Sequence, residues 1–291
     1  MSAGHHSGIK QGHAPGYRAI RMDAAWITRP VFGILMALFA LGVVAMPPGY
    51  LAIVLALVTI IASREWQRCV GAGASLNLEI AVSFFTVAVA QAALIYTGNF
   101  GYAALAVLAG AGAAFALARQ EKHPLWQAAG VLYLGLPVLS LLALHAFAER
   151  GVYIVWGLLL IIWATDTGAL ICGKLIGGPR IAPKLSPGKT WAGTIGGSVI
   201  AALVYALYIG FFLTGSALNA ALFAFVFSFI AHGGDLLESF VKRRFGLKDS
   251  GSAIPGHGGV LDRIDSTLAC APAMALLVLV AHFNPLFGLS S

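Results

Sequence analysis

Residues Ser239 to Asp265 read SFVKRRFGLKDSGSAIPGHGGVLDRID, a strongly polar stretch between two long apolar runs. Lys242, Arg243, Arg244, Lys248 and Arg263 suit anions; Asp249, Asp262 and Asp265 suit cations or protons. Gly246, Gly251, Pro255, Gly256, Gly258 and Gly259 predict a loop rather than a helix, because they break helical pairing and permit close backbone approach. Basic groups, carboxylates and bare backbone N–H groups together suit a metal-bound phosphate ligand. A plain connector between two membrane helices would account for the lysines and arginines through the excess of positive charge on the cytoplasmic side. It would not account for three aspartates and His257-Gly258-Gly259 at these spacings.

The flanking runs set the class. Of 291 residues, 59% are hydrophobic and only 10% charged, against about 25% charged in a soluble domain. The expected fold is all-α, a polytopic integral membrane protein with its N-terminus cytoplasmic. Nine helices are long enough for the ~30 Å hydrocarbon core, at about 31–46, 49–63, 78–98, 100–118, 129–148, 152–173, 193–214, 218–238 and 266–283. The first two flank Pro47-Pro48-Gly49 and could instead form a broken or re-entrant pair. Three regions follow: a flexible tail (1–25), N-terminal transmembrane helices (26–150) and a catalytic transmembrane region (151–291) with polar loops at 173–193 and 239–265. With the tail inside, 17 of the 18 Lys and Arg lie on the cytoplasmic side and only Arg150 outside, as the positive-inside rule requires. The net charge of +7 then reflects topology and anionic headgroups rather than nucleic acid. Cys69, Cys172 and Cys270 lie far apart in or beside apolar runs and read as packing residues or free thiols. His5, His6 and His13 in the tail fit no structural metal spacing. Gly193-x-x-x-Gly197 and the small residues at 110–114 read as close helix-packing surfaces.

Ionisable groups inside membrane helices are functional candidates. Asp166 follows an apolar run, and Asp235 and Glu238 end the eighth helix. Glu65 and Glu79 read as interfacial charges at helix ends, paired with Arg64 or Arg68. If the eighth and ninth helices pack together, the glycine-rich loop returns Asp262 to the face of Asp235, and the two would hold Mg²⁺ through oxygen ligands. The second polar stretch, Gly173 to Gly197, contains Ser186-Pro187-Gly188-Lys189-Thr190 just before a helix. Hydroxyls, a lysine and free N–H groups there favour phosphate. It is not a Walker A loop.

Both stretches resemble the phosphatidate cytidylyltransferases, or CDP-diacylglycerol synthases. The first resembles their C-terminal motif through Ser239-x-Val241-Lys242-Arg243, Lys248-Asp249, Pro255-x-His257-Gly258-Gly259 and Asp262-Arg263-x-Asp265. The second resembles their upstream motif, Asp-x-x-Ala-Tyr, Gly-Lys, Ser-Pro-x-Lys-Thr-x-Glu-Gly, at Asp166, Ala169, Gly173, Lys174, Ser186, Pro187, Lys189, Thr190 and Gly193. Leu170 stands where that family usually has Tyr, and Ala192 where it usually has Glu. The resemblance is dense over 166–265; before residue 150 it rests on helix count and apolar character.

The resemblance implies transfer of the cytidylyl group of CTP to phosphatidate at the inner leaflet of a bacterial-type cytoplasmic membrane, with Mg²⁺ and room for a monovalent cation. CTP, phosphatidate and membrane lipids are the expected partners, and a homodimer is an allowed assembly. Asp235, Asp262, Lys242, Arg243 and Asp166 are the expected catalytic residues, with Asp235 and Asp262 on the metal. Ser186, Lys189, Thr190, Ser239, Lys248, Asp249, His257, Gly258, Gly259, Arg263 and Asp265 are the expected substrate contacts. A CTP-dependent polyprenol or lipid kinase makes similar demands. An ion-coupled transporter would use Asp166 and Asp235 as ion ligands.

Overall fold

Apolar runs of this length become helices because the bilayer core offers backbone N–H and C=O groups no partner outside their own segment. The computed structural model describes residues 25–71, 76–120, 123–251 and 258–286. His257 and the N-terminal tail lie outside the described residues. Nine α-helices are described: α1 (Ala25–Ala45), α2 (Pro48–Val70), α3 (Leu76–Thr97), α4 (Phe100–Leu117), α5 (Pro124–Phe147), α6 (Gly151–Leu175), α7 (Trp191–Phe212), α8 (Ala217–Arg244) and α9 (Leu261–Ala275). Eight are long and apolar enough to cross a membrane, the last including the turn that follows α9; α1 adds a shorter apolar segment, Val31–Ala45. The all-α, polytopic expectation holds. One hairpin, β1 (Arg180–Ala182) with β2 (Ser186–Thr190), is the only sheet among the described residues.

Two helices run past their expected ends. The charged residues after Ser63 suggest a stop, yet α2 continues to Val70 and is closed by Gly71 in the left-handed conformation, φ 77°. Glu65, Trp66, Gln67, Cys69 and Val70 are all buried, so the polar residues there face protein. Pro48 occupies the first turn, where its missing N–H costs no hydrogen bond. Pro47-Pro48-Gly49 is therefore a tight link into a 23-residue helix, roughly 35 Å long. Likewise α8 continues to Arg244, so Ser239–Arg244 is helical and the true loop is shorter than the polar stretch.

The helix ends sort to two faces. Near one face, the Val260 N–H before α9 donates to Glu65 at the end of α2, 3.0 Å away. Trp126 at the start of α5 meets Phe245 just after α8, ring centroids 5.3 Å apart. Near the other face, Trp156 donates to the Leu41 carbonyl at 3.1 Å and His145 lies 2.8 Å from the Val44 carbonyl. There too Tyr205 donates to the Pro285 carbonyl at 3.0 Å. Alternating crossings bring the ends of α2, α6 and α8 and the starts of α5, α7 and α9 to one face, with both polar stretches.

Small residues set how closely α6 and α7 approach. A Cβ at Gly197 would stand 2.6 Å from the Thr165 carbonyl, and one at Gly193 would stand 2.8 Å from that of Ala169. Gly168 faces Gly197 and Ile200 in the same way. The Gly193-x-x-x-Gly197 spacing is thus a packing seam, as expected, and it fixes the hairpin against the helix pair that carries Asp166. Gly110 of α4 similarly lies under Thr86 of α3.

Candidate active site

The hairpin is built by antiparallel pairing of Arg180 with Thr190 and Ala182 with Ser186. It replaces the expected loop and leaves Pro187 and Gly188 exposed. At its end the Thr190 hydroxyl accepts the Gly193 N–H at 3.0 Å and caps α7. Thr190 therefore orders the strand-to-helix junction. Lys189, one residue earlier, reaches α8 and forms an ion pair with Asp235, Nζ to Oδ2 2.6 Å.

On α8, Asp235, Glu238, Ser239 and Lys242 recur at i, i+3, i+4 and i+7 and so form one stripe. Gly234 brings α9 against it: a Cβ there would sit 2.9 Å from the Asp265 carbonyl and 2.8 Å from the Ala269 methyl. The stripe holds two levels of charge. At the end nearer the loop, Lys242 lies 3.0 Å from Glu238 and 2.6 Å from Asp262. Asp262 also accepts N–H groups from Ser250 (3.3 and 3.2 Å to its two oxygens) and Gly259 (3.0 Å). Gly258 supports this turn with φ 84°, open to glycine at little steric cost. About one helical turn further in, Asp235 meets Lys189, and Ser239 donates to Asp235 at 3.5 Å. Asp265 is within electrostatic reach of Asp235 and Asp166, and Asp166 of Lys189 and Arg263. Asp166, at the end of an apolar run, is exposed between buried Thr165 and Gly168.

The two polar stretches share one pocket of about 280 Å³, lined by Leu185, Ser186, Pro187 and Gly188 from the hairpin, Ser239, Lys242 and Arg243 from α8, and Lys248 and Asp249 beyond it. Three basic side chains face one acidic one, and two hydroxyls complete the lining. This composition favours a polyanion. Arg243 ties the walls together by donating to the carbonyls of Leu185 (3.3 Å) and Leu247 (3.2 Å). Ser186, Ser239, Lys242, Arg243, Lys248 and Asp249 thus line one pocket, and Arg263 and Asp265 are not among its lining residues.

Among the described residues no three His, Cys, Asp or Glu side chains converge at metal-ligand spacing. Mg²⁺ needs only one or two carboxylates when phosphate oxygens and water complete its shell. An ion held in this way fits Asp235, whose carboxylate carries only one lysine, Lys189, and one hydroxyl, Ser239. Asp262 differs, because its oxygens already accept Lys242 and two backbone N–H groups.

Two glutamates read as interfacial charges are instead buried, Glu65 at 3% and Glu79 at 1% exposure. Glu65 bonds to the backbone at the start of α9 and to the Ser250 hydroxyl. The available signal was helical continuity: Ala62, Trp66, Cys69 and Val70 keep an apolar face running past the glutamate.

Residues 27–281 match the model of a family described as the cytidylyltransferase family. Phosphatidate cytidylyltransferase of Brucella suis biovar 1 is 36% identical over 167 residues, 57% of this chain and 62% of that protein. That of Rickettsia prowazekii is 39% identical over 150 residues, 49% of this chain and 65% of its own. That of Haemophilus influenzae is 34% identical over 128 residues, 42% and 44% respectively. The chain thus spans less than two thirds of the length of these relatives.

Proposed function

Since the chain belongs to the cytidylyltransferase family, we propose that it transfers the cytidylyl group of CTP to phosphatidate, releasing pyrophosphate and forming CDP-diacylglycerol. The observation that carries this reading is the pocket that Ser186, Pro187 and Gly188 share with Lys242, Arg243 and Lys248. A lipid phosphate must approach the α-phosphorus of a triphosphate, and anions so close require fixed cations. An oxygen of the phosphatidate phosphate bonds to the α-phosphorus, and the bond from that phosphorus to the oxygen bridging to the β-phosphate breaks. Pyrophosphate leaves with the electron pair. Phosphatidate is already ionised at neutral pH, so no strong general base is needed. Lys242, Arg243 and Lys248 receive the phosphate charge, and the Ser186 and Ser239 hydroxyls orient it. Asp235 would hold Mg²⁺, which would supply further charge neutralisation.

The test is the fate of label. With phosphatidate in detergent micelles, label from the α-phosphate of CTP is expected in lipid, abolished by chelator. Label entering lipid from the γ-phosphate instead would make the protein a lipid kinase and sink the proposal.

We further infer that the polar face is cytoplasmic in a bacterial inner membrane, from the 17-to-1 division of Lys and Arg. Lys184 lies exposed in the hairpin turn. Lys184→Cys, in a chain lacking its native cysteines, is expected to react with an impermeant maleimide only in inverted vesicles. Labelling in intact cells would reverse the assignment.

A further inference from the structure

Glu65 lies outside both polar stretches, yet both flanks of the α8–α9 connection meet on it. Its carboxylate is buried at 3% exposure. The Val260 N–H donates to one oxygen at 3.0 Å and the Leu261 N–H to the other at 2.8 Å. The Ser250 hydroxyl donates to it at 3.4 Å. A Cβ at Gly251 would stand 2.6 Å from one oxygen, and a Cβ at Gly259 would stand 2.7 Å from the other. Glycine at both positions is what lets the backbone close on the carboxylate. An interfacial charge paired with a neighbouring arginine would account for none of these contacts.

The first N–H groups of a helix lack partners within it, and α9 has no side-chain cap of its own. Glu65 supplies one from α2, where a carboxylate also complements the positive end of the helix dipole. Ser250 extends the connection, since its N–H donates to Asp262 while its hydroxyl serves Glu65. Asp262 in turn holds Lys242 at the pocket wall.

We propose that Glu65 is a positioning residue for the transfer: a cap contributed in trans by α2 that fixes the first turn of α9 and, through Asp262, the place of Lys242. The catalytic part of this proposal rests on the cytidylyl-transfer reading. Capping does not.

Glu65→Gln keeps the shape but offers one acceptor and an unwanted NH₂ to three donors. In the purified full-length protein, kcat with CTP and phosphatidate is expected to fall about 10- to 100-fold while the KM for CTP stays within about threefold, as for a group misplaced rather than removed. Hydrogen exchange at the Val260 and Leu261 amides is expected to accelerate about tenfold or more, with the middle of α7 unchanged. Wild-type exchange at those two amides would overturn the cap. Uniform acceleration across all helices would reduce Glu65 to general packing, and accelerated exchange with wild-type kcat would overturn its positioning role. Should Glu65→Gln not fold, Ser250→Ala removes one contact and is expected to speed exchange at Val260 and Leu261 alone; no change there would also overturn the cap. Exchange needs no substrate, so a wild-type protein inactive on CTP would fault the proposed reaction and leave the cap to be judged by exchange.

Discussion

Asp235→Asn is expected to lower cytidylyl transfer by about 100-fold or more, the scale on which removing a fixed electrostatic partner of the reacting charge acts. Asp235 pairs with Lys189 at 2.6 Å and accepts the Ser239 hydroxyl at 3.5 Å. The amide removes one of the charges that would hold a divalent ion and leaves Lys189 without its anionic partner. A Mg²⁺ titration separates this role from that of Asp262. Asp235→Asn is expected to raise the Mg²⁺ concentration for half-maximal rate. Asp262→Asn is expected to lower the maximal rate with little change in Mg²⁺ dependence, because Asp262 already holds Lys242 and the loop backbone. Equal shifts in both variants would restore the sequence reading in which the two aspartates share the ion. An unchanged Mg²⁺ dependence in Asp235→Asn would remove Asp235 from the metal.

Lys242→Met is expected to be the most damaging single change to both activity and stability. Glu238 is 1% exposed and Asp262 12% exposed by side chain, and both are held by this one ammonium. Removing one partner from a buried ionic group costs about 3–5 kcal/mol, because a desolvated charge is left behind. Asp262 keeps its backbone donors, so the strain concentrates on Glu238. The double variant Glu238→Gln/Lys242→Met is therefore expected to recover a good part of the lost thermal stability in detergent while remaining inactive, since the pocket cation is still missing. Recovery of stability without activity would separate the two roles of Lys242. A double variant less stable than Lys242→Met would mean that Glu238 is not the charge left stranded. Wild-type turnover in either variant would take Lys242 out of the phosphate site.

The membrane class, the helices and the two polar stretches were legible in the sequence. Apolar runs and glycine-proline breaks act locally, and the bilayer penalises any other backbone arrangement. The convergence of Ser186 with Ser239, Lys242 and Arg243 was legible through the family resemblance of their motifs. Sequence alone could not divide the charges. It joined Asp235 to Asp262 across a loop, whereas the antiparallel packing of α8 and α9 sets Asp262 against Lys242 and leaves Asp235 to a lysine from the hairpin. Nor could it distinguish a glutamate at the membrane boundary from one buried under a loop. Glu65 has the same side chain and the same arginine neighbour in either case, and its burial depends on what the distant α8–α9 connection places over it. Hydrophobic period is a property of one segment, and the chain states it directly. The partner of a buried charge is a property of two segments brought together, and only the tertiary packing of α2, α8, α9 and the hairpin decided it.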